Sequence, residues 1–160
     1  MSYSYVSAAT ILERCAQLEA KGIEFYRGML KGARTEWMRD LASMLMHAEE
    51  RHRNRFRKYA LAARAKVSET GGGPQLPELK RLMAETVFMT SDLAEKTASN
   101  MNDRAALEIA IRHESNLALL FAQFRVYVPP DQRPFIDRVI KEEQQHEAKL
   151  ISYRKKYFGQ

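Results

Sequence analysis

Apolar residues recur along this chain at alternating steps of three and four, and the recurrence predicts four long helices. The first stripe is Leu12, Cys15, Glu19, Ile23, Tyr26 and Leu30, in a helix over about 7–31. The second is Met38, Leu41, Leu45, Glu49, His52, Phe56 and Tyr59, over about 35–66. The third runs Leu107, Ala110, Glu114, Leu117, Phe121, Phe124 and Val128, in a helix that starts near Asn102 and ends before Pro129. The fourth runs Ile136, Val139, Glu143, His146, Leu150, Tyr153 and Tyr157, over about 131–157. Thr10 and Glu13 have capping-box spacing, and Ser7 offers a start one turn earlier. The stretch "SETGGGPQLP" breaks the pattern, and "VPPDQRP" is a turn. A shorter amphipathic piece lies in "PELKRLMAETVFMTSDLAEK".

These stripes predict an all-α protein, a four-helix bundle forming a single domain over residues 1–160. Each stripe contains one glutamate about three to four turns into its helix, so side-by-side packing brings all four to one layer. The halves of the chain also repeat. Glu19 recurs as Glu114, Glu49 as Glu143 and His52 as His146, at a spacing of 94 or 95 residues. The chain reads as two related helical hairpins joined by roughly 34 residues, long enough for one crossover connection containing a short helix.

Composition agrees with helix: 45% hydrophobic, with only 7 Gly and 5 Pro. Apolar runs are too short for a membrane span, and "MSYSYVSAAT" does not read as a secretory signal. The lone Cys15 allows neither an internal disulfide nor a Cys-x-x-Cys knuckle, so a cytoplasmic location is expected. The net charge of +6 is concentrated around Arg51, Arg53, Arg55, Arg57 and Lys58. That face reads as solvated, or as a docking surface for an acidic partner; no recognised nucleic-acid motif accompanies it.

The buried glutamates carry the chemistry. An ionised carboxylate in a core costs several kcal/mol unless it is paired. Glu49 with His52, and Glu143 with His146, are Glu-x-x-His pairs whose side chains lie one turn apart on one helix face. Adding Glu19 and Glu114 gives four carboxylates and two imidazoles, a donor set suited to iron or manganese. Two divalent cations would cancel the four carboxylate charges. His47 and His113 lack the glutamate three residues back and are read as surface histidines or as supports behind the ligands. Glu50 and Glu142 point off the stripe and are expected to be dispensable for metal. Tyr26, Tyr59 and Tyr153 are read as core aromatics with a polar tip, with a role beside the metals as the alternative.

The segments "EAKGIEFY", "EERH", "ESNLALLF" and "EQQH" resemble the rubrerythrin branch of the ferritin-like superfamily, in order and over about residues 7–157. The resemblance implies a ferritin-like bundle holding two iron ions, with manganese or zinc as substitutes, on Glu19, Glu49, His52, Glu114, Glu143 and His146. It implies an oxidoreductase that reduces peroxide or oxygen, or oxidises ferrous iron, and assembles as a homodimer. The chain departs from typical rubrerythrins in two ways. It has no four-cysteine iron domain, so an electron donor would be a separate protein. The extra glutamate one turn from the third-helix ligand is missing, with Ile111 and Leu117 at the neighbouring positions. A non-catalytic iron-handling protein or a metal-stabilised interaction module is the alternative function. Apolar residues of the connection, Leu79, Leu82, Met83 and Phe88, are expected to cover the bundle or a second copy.

Overall fold

A computed structural model describes residues 7–65, 77, 81 and 98–159 of the chain. Four long helices account for nearly all of them: α1 (Ala8–Gly32), α2 (Glu36–Ala65), α3 (Asp103–Arg125) and α4 (Arg133–Phe158). No strand occurs among the described residues, and no helix is long and apolar enough to cross a membrane.

Local chemistry sets the helix ends. Ser7 takes an extended backbone and its hydroxyl accepts from the Thr10 amide at 3.2 Å, so α1 starts at the earlier of its two start signals. Asn102 caps α3 in the same way, accepting from the Ala105 amide at 2.8 Å. The first turn of α4 contains Pro134, whose missing N–H would have no partner there in any case. α4 closes on Gly159, which adopts the left-handed φ of 73° and donates its N–H to the Lys155 carbonyl.

The helices pair as two antiparallel hairpins. In the first, Arg64 near the end of α2 pairs with Glu13 near the start of α1. In the second, Arg154 of α4 reaches Glu108 of α3 at 3.1 Å, and Arg125 pairs with Asp137 at the other end. Contacts of Arg55 with Glu142 and of Lys149 with Met44 set α2 antiparallel to α4. α1 also packs on α3. There Asp103 accepts from the Arg34 amide at 3.1 Å and the Thr35 hydroxyl at 2.8 Å, tying the α1–α2 joint to the start of α3. α2 and α3 therefore run parallel, and the ends that residues 66–97 must join lie at opposite ends of the bundle. α2 alone, at 30 residues, is about 45 Å long. The expected short helix of that connection, with Leu79, Leu82, Met83 and Phe88, lies outside the described residues.

The core is split in two. One cluster contains Leu12, Cys15, Phe56, Phe121, Phe124 and Phe135. The other contains Tyr26, Met38, Leu45, Leu107, Ala110 and Leu150. The stripes expected from the sequence are buried, with exceptions at their outer ends and at His146. Leu30, Tyr59, His146 and Tyr153 are partly buried, and Tyr157 is 39% exposed. Leu150 is the last buried residue of α4; beyond it Tyr153 packs on the edge of the second cluster and Tyr157 stacks on Trp37 at 4.1 Å.

Asp103→Ala leaves the joint and the α3 start without their shared carboxylate. Hydrogen bonds to charged groups contribute about 1.5–3 kcal/mol, so this variant should lose stability on that scale, read from its denaturant midpoint at unchanged slope.

Candidate metal centre

Between the two apolar clusters the six residues singled out from the sequence converge. Glu19 comes from α1, Glu49 and His52 from α2, Glu114 from α3, and Glu143 and His146 from α4. Five of them are fully buried; His146 retains 14% side-chain exposure. They form two groups able to hold a metal ion. Glu19, Glu49, His52 and Glu143 offer ligand atoms all within 4.8 Å of one another, and so do Glu49, Glu114, Glu143 and His146. Glu49 and Glu143 belong to both groups. That is the arrangement a pair of ions needs: two carboxylates between them and one Glu and one His at each end.

Glu143 joins the halves. Its Oε1 lies 2.8 Å from Nδ1 of His52 and its Oε2 lies 3.1 Å from Nδ1 of His146. The two imidazoles stack, with centroids 5.8 Å apart. At the outer ends, His52 Nδ1 is 3.7 Å from Glu19 and His146 Nδ1 is 3.3 Å from Glu114. Apart from each other's carboxyl, Glu19 and Glu49 are buried with no hydrogen-bond partner on either oxygen. Buried polar atoms in folded proteins are nearly always satisfied, so two carboxyl groups converging on one layer with no outside hydrogen-bond partner fit a cation.

The electrostatics show how strained the metal-free layer is. Burial, reinforced by the neighbouring carboxylates, holds Glu19 and Glu114 well above the usual carboxylate range. Burial and the Glu143 charge raise Glu49 to about 7. Burial also acts on the histidines, pulling them down. The facing carboxylates outweigh it, raising His52 to about 9 through Glu143 first, and His146 to about 10 through Glu114 first. Glu143 ends below its ordinary range, because its bonds to His146 and His52 overcome the burial that pushes it up. The same histidines would be neutral ligands with a metal present.

Around these six, the structure adds supports. Tyr26 is fully buried and donates its hydroxyl to Oε1 of Glu114, so of the three tyrosines it is the one at the site. Tyr59 instead stacks on Phe135 and Tyr153 packs near Trp37. His47 is exposed, with Nδ1 2.6 Å from the Ser43 carbonyl, as a surface histidine should be. His113 is fully buried. Its Nε2 lies 3.9 Å from Glu49 Oε2, and burial lowers it to about 4, leaving a neutral ring against a ligand. Gly22 makes room for that pair: a Cβ there would sit 2.7 Å from Glu49 Oε2 and 2.8 Å from His113 Nε2.

Glu142, set aside on the sequence as pointing off the stripe, meets one of the six residues from behind. It belongs to neither group, but its Oε2 lies 2.6 Å from Nε2 of His52, the ring nitrogen that faces away from the site. Its other oxygen accepts from Arg55 at 3.4 Å. If His52 held a metal, a carboxylate in this place would fix its tautomer and aim the ring. Its sequence signal is only a second glutamate beside Glu143. Whether such a neighbour meets a ligand depends on which helix packs alongside. Glu50, the glutamate that follows Glu49 on α2, is partly buried.

No family model, curated protein or solved structure matches the chain.

Gly22→Ala should keep the helical fold but displace Glu49 or His113, and its metal content, measured on purified protein, should fall below wild type. The metal-free chain should also be more stable near pH 5.5 than near pH 9. Glu19, Glu49 and Glu114 have raised folded-state values, so the unfolded chain gains more by ionising them as pH rises above about 4.5. His52 and His146 contribute stability that is complete below about 6.5 and lost as pH rises through about 9 to 10. His113, lowered to about 4, opposes this trend as pH falls below about 6.5, and Glu143 opposes it only as pH falls below its ordinary range; the five raised groups outweigh them. Thermal melts of chelated protein across that interval check the sign.

Proposed function

We propose that the chain is a rubrerythrin-like, ferritin-fold oxidoreductase that holds two iron ions and reduces peroxide or oxygen. The observation that carries this reading is the overlap of two four-residue groups at Glu49 and Glu143, in a layer where the Glu19 and Glu49 carboxyls have no outside hydrogen-bond partner. Glu19 and His52 would hold one ion, Glu114 and His146 the other, with Glu49 and Glu143 shared. When bound, the ions supply a redox couple and Lewis acidity at positions left open by the six protein ligands.

The chain's own residues supply the rest. Tyr26 holds Glu114 by its hydroxyl proton, and Glu142 aims Nδ1 of His52 inward. Ile111 and Leu117, both buried, flank Glu114 with aliphatic groups. Of the six, His146 alone has solvent exposure, so a small oxidant would approach from that side. These 160 residues contain one cysteine and no cysteine cluster, and a separate donor protein and a homodimeric assembly belong to the same reading. The exposed Arg51, Arg55, Arg57 and Lys58 on α2 suit an acidic donor.

Protein produced with adequate iron should contain close to two equivalents per chain, and Glu49→Ala or Glu143→Ala should lose most of it. Rapid mixing of the ferrous protein with peroxide should change the iron spectrum once. Repeated turnover should need an added reductant and should weaken as salt rises. An unchanged spectrum over minutes would leave a redox-silent, metal-stabilised module.

A further inference from the structure

The two ends of the site are built unequally. His52 is fully buried, and its outward nitrogen is held by Glu142, which Arg55 holds in turn. His146 is partly exposed. In the repeat that relates the hairpins, the residue matching Glu142 is Ala48, which has no group to offer a histidine. A carboxylate behind a histidine raises its donor strength and removes rotational freedom. The deeper burial of His52 and its Glu142 partner act in the same direction.

We infer that the Glu19–His52 end is the tight, pre-organised metal position, that the Glu114–His146 end is the exchangeable one, and that Glu142 sets the difference. This rests on the two-metal reading above. Outer partners of this kind typically change metal affinity by about 10–100-fold, which sets the expected gap between the two positions. Glu142 is a positioning residue here: it touches His52 and would not touch the ion. One consequence is order. The first ion fills the buried end, and the second enters and leaves through the His146 side.

Titration of the chelated full-length chain with cobalt(II), followed by the visible bands of the bound ion, tests this. The wild type should fill in two steps. His146→Ala should keep the tight step and lose the weak one, and His52→Ala should do the reverse. Glu142→Ala should weaken the tight step by about 10–100-fold and leave the weak step in place, with Glu142→Gln intermediate. The band of the tightly bound ion should shift in both Glu142 variants, which a general loss of stability would not produce. Mutual repulsion of two ions could also give two steps, but it predicts equal effects from the two histidine substitutions. Equal effects, or weakening of both steps by Glu142→Ala, overturn the inference. A folded wild-type chain that binds no cobalt overturns instead the two-metal reading on which it rests.

Discussion

Four carboxylates buried in one cross-section are the constraint on which the rest of this bundle depends. Glu19, Glu49, Glu114 and Glu143 occupy positions where the surrounding stripes place leucine and phenylalanine, and none of the four is exposed. Ionised together in a dry layer they would repel one another strongly. The structure answers with the two histidines. His52 and His146 share Glu143, one on each oxygen. Their positive charges offset Glu143, while burial and the neighbouring carboxylates push Glu19 and Glu114 toward the protonated form.

That layer also organises the apolar core. It separates one cluster around Phe56, Phe121 and Phe135 from another around Tyr26, Met38 and Leu107. Each cluster clamps the four helices on its own side, so the ligand-bearing turns are fixed from both directions. Rigid support of this kind holds the candidate ligand atoms close together, which would reduce the ordering cost of binding an ion. Gly22 belongs to the same logic. A side chain there would occupy the space of Glu49 and His113, so the helix accepts a residue of poor helical propensity where the site needs room.

The two hairpins are related in sequence but not equivalent in what surrounds the ligands. Tyr26 supports Glu114, and the matching position behind Glu19 in the repeat is Phe121, which has no hydroxyl to give. Glu142 supports His52, and its counterpart is Ala48. Duplicated ligands with unduplicated supports give two chemically distinct ends to one site. The exposed arginines of α2 lie on the same helix as His52, so the basic surface and the buried site are linked through Arg55 and Glu142.

The sequence by itself determined the helices, the stripes and the six converging residues. A three-four apolar period specifies which face of a helix is buried, and a glutamate or histidine on that face is conspicuous because burying it is costly. The two-hairpin repeat was legible for the same reason: matching stripes carry matching exceptions. What lay off the stripe was not legible. Glu142 looked like a solvated neighbour, and His113 was left between surface and support. Their roles depend on which helix packs against which, and at what height, and no periodicity within one helix contains that information. The sharing of Glu49 and Glu143 and the seating of Tyr26 on Glu114 were likewise decided by tertiary packing, whereas the parallel run of α2 and α3 agrees with the crossover expected from the long connection. A helix sequence fixes the direction of a side chain only relative to its own axis; the partner it meets is set when the four axes come together.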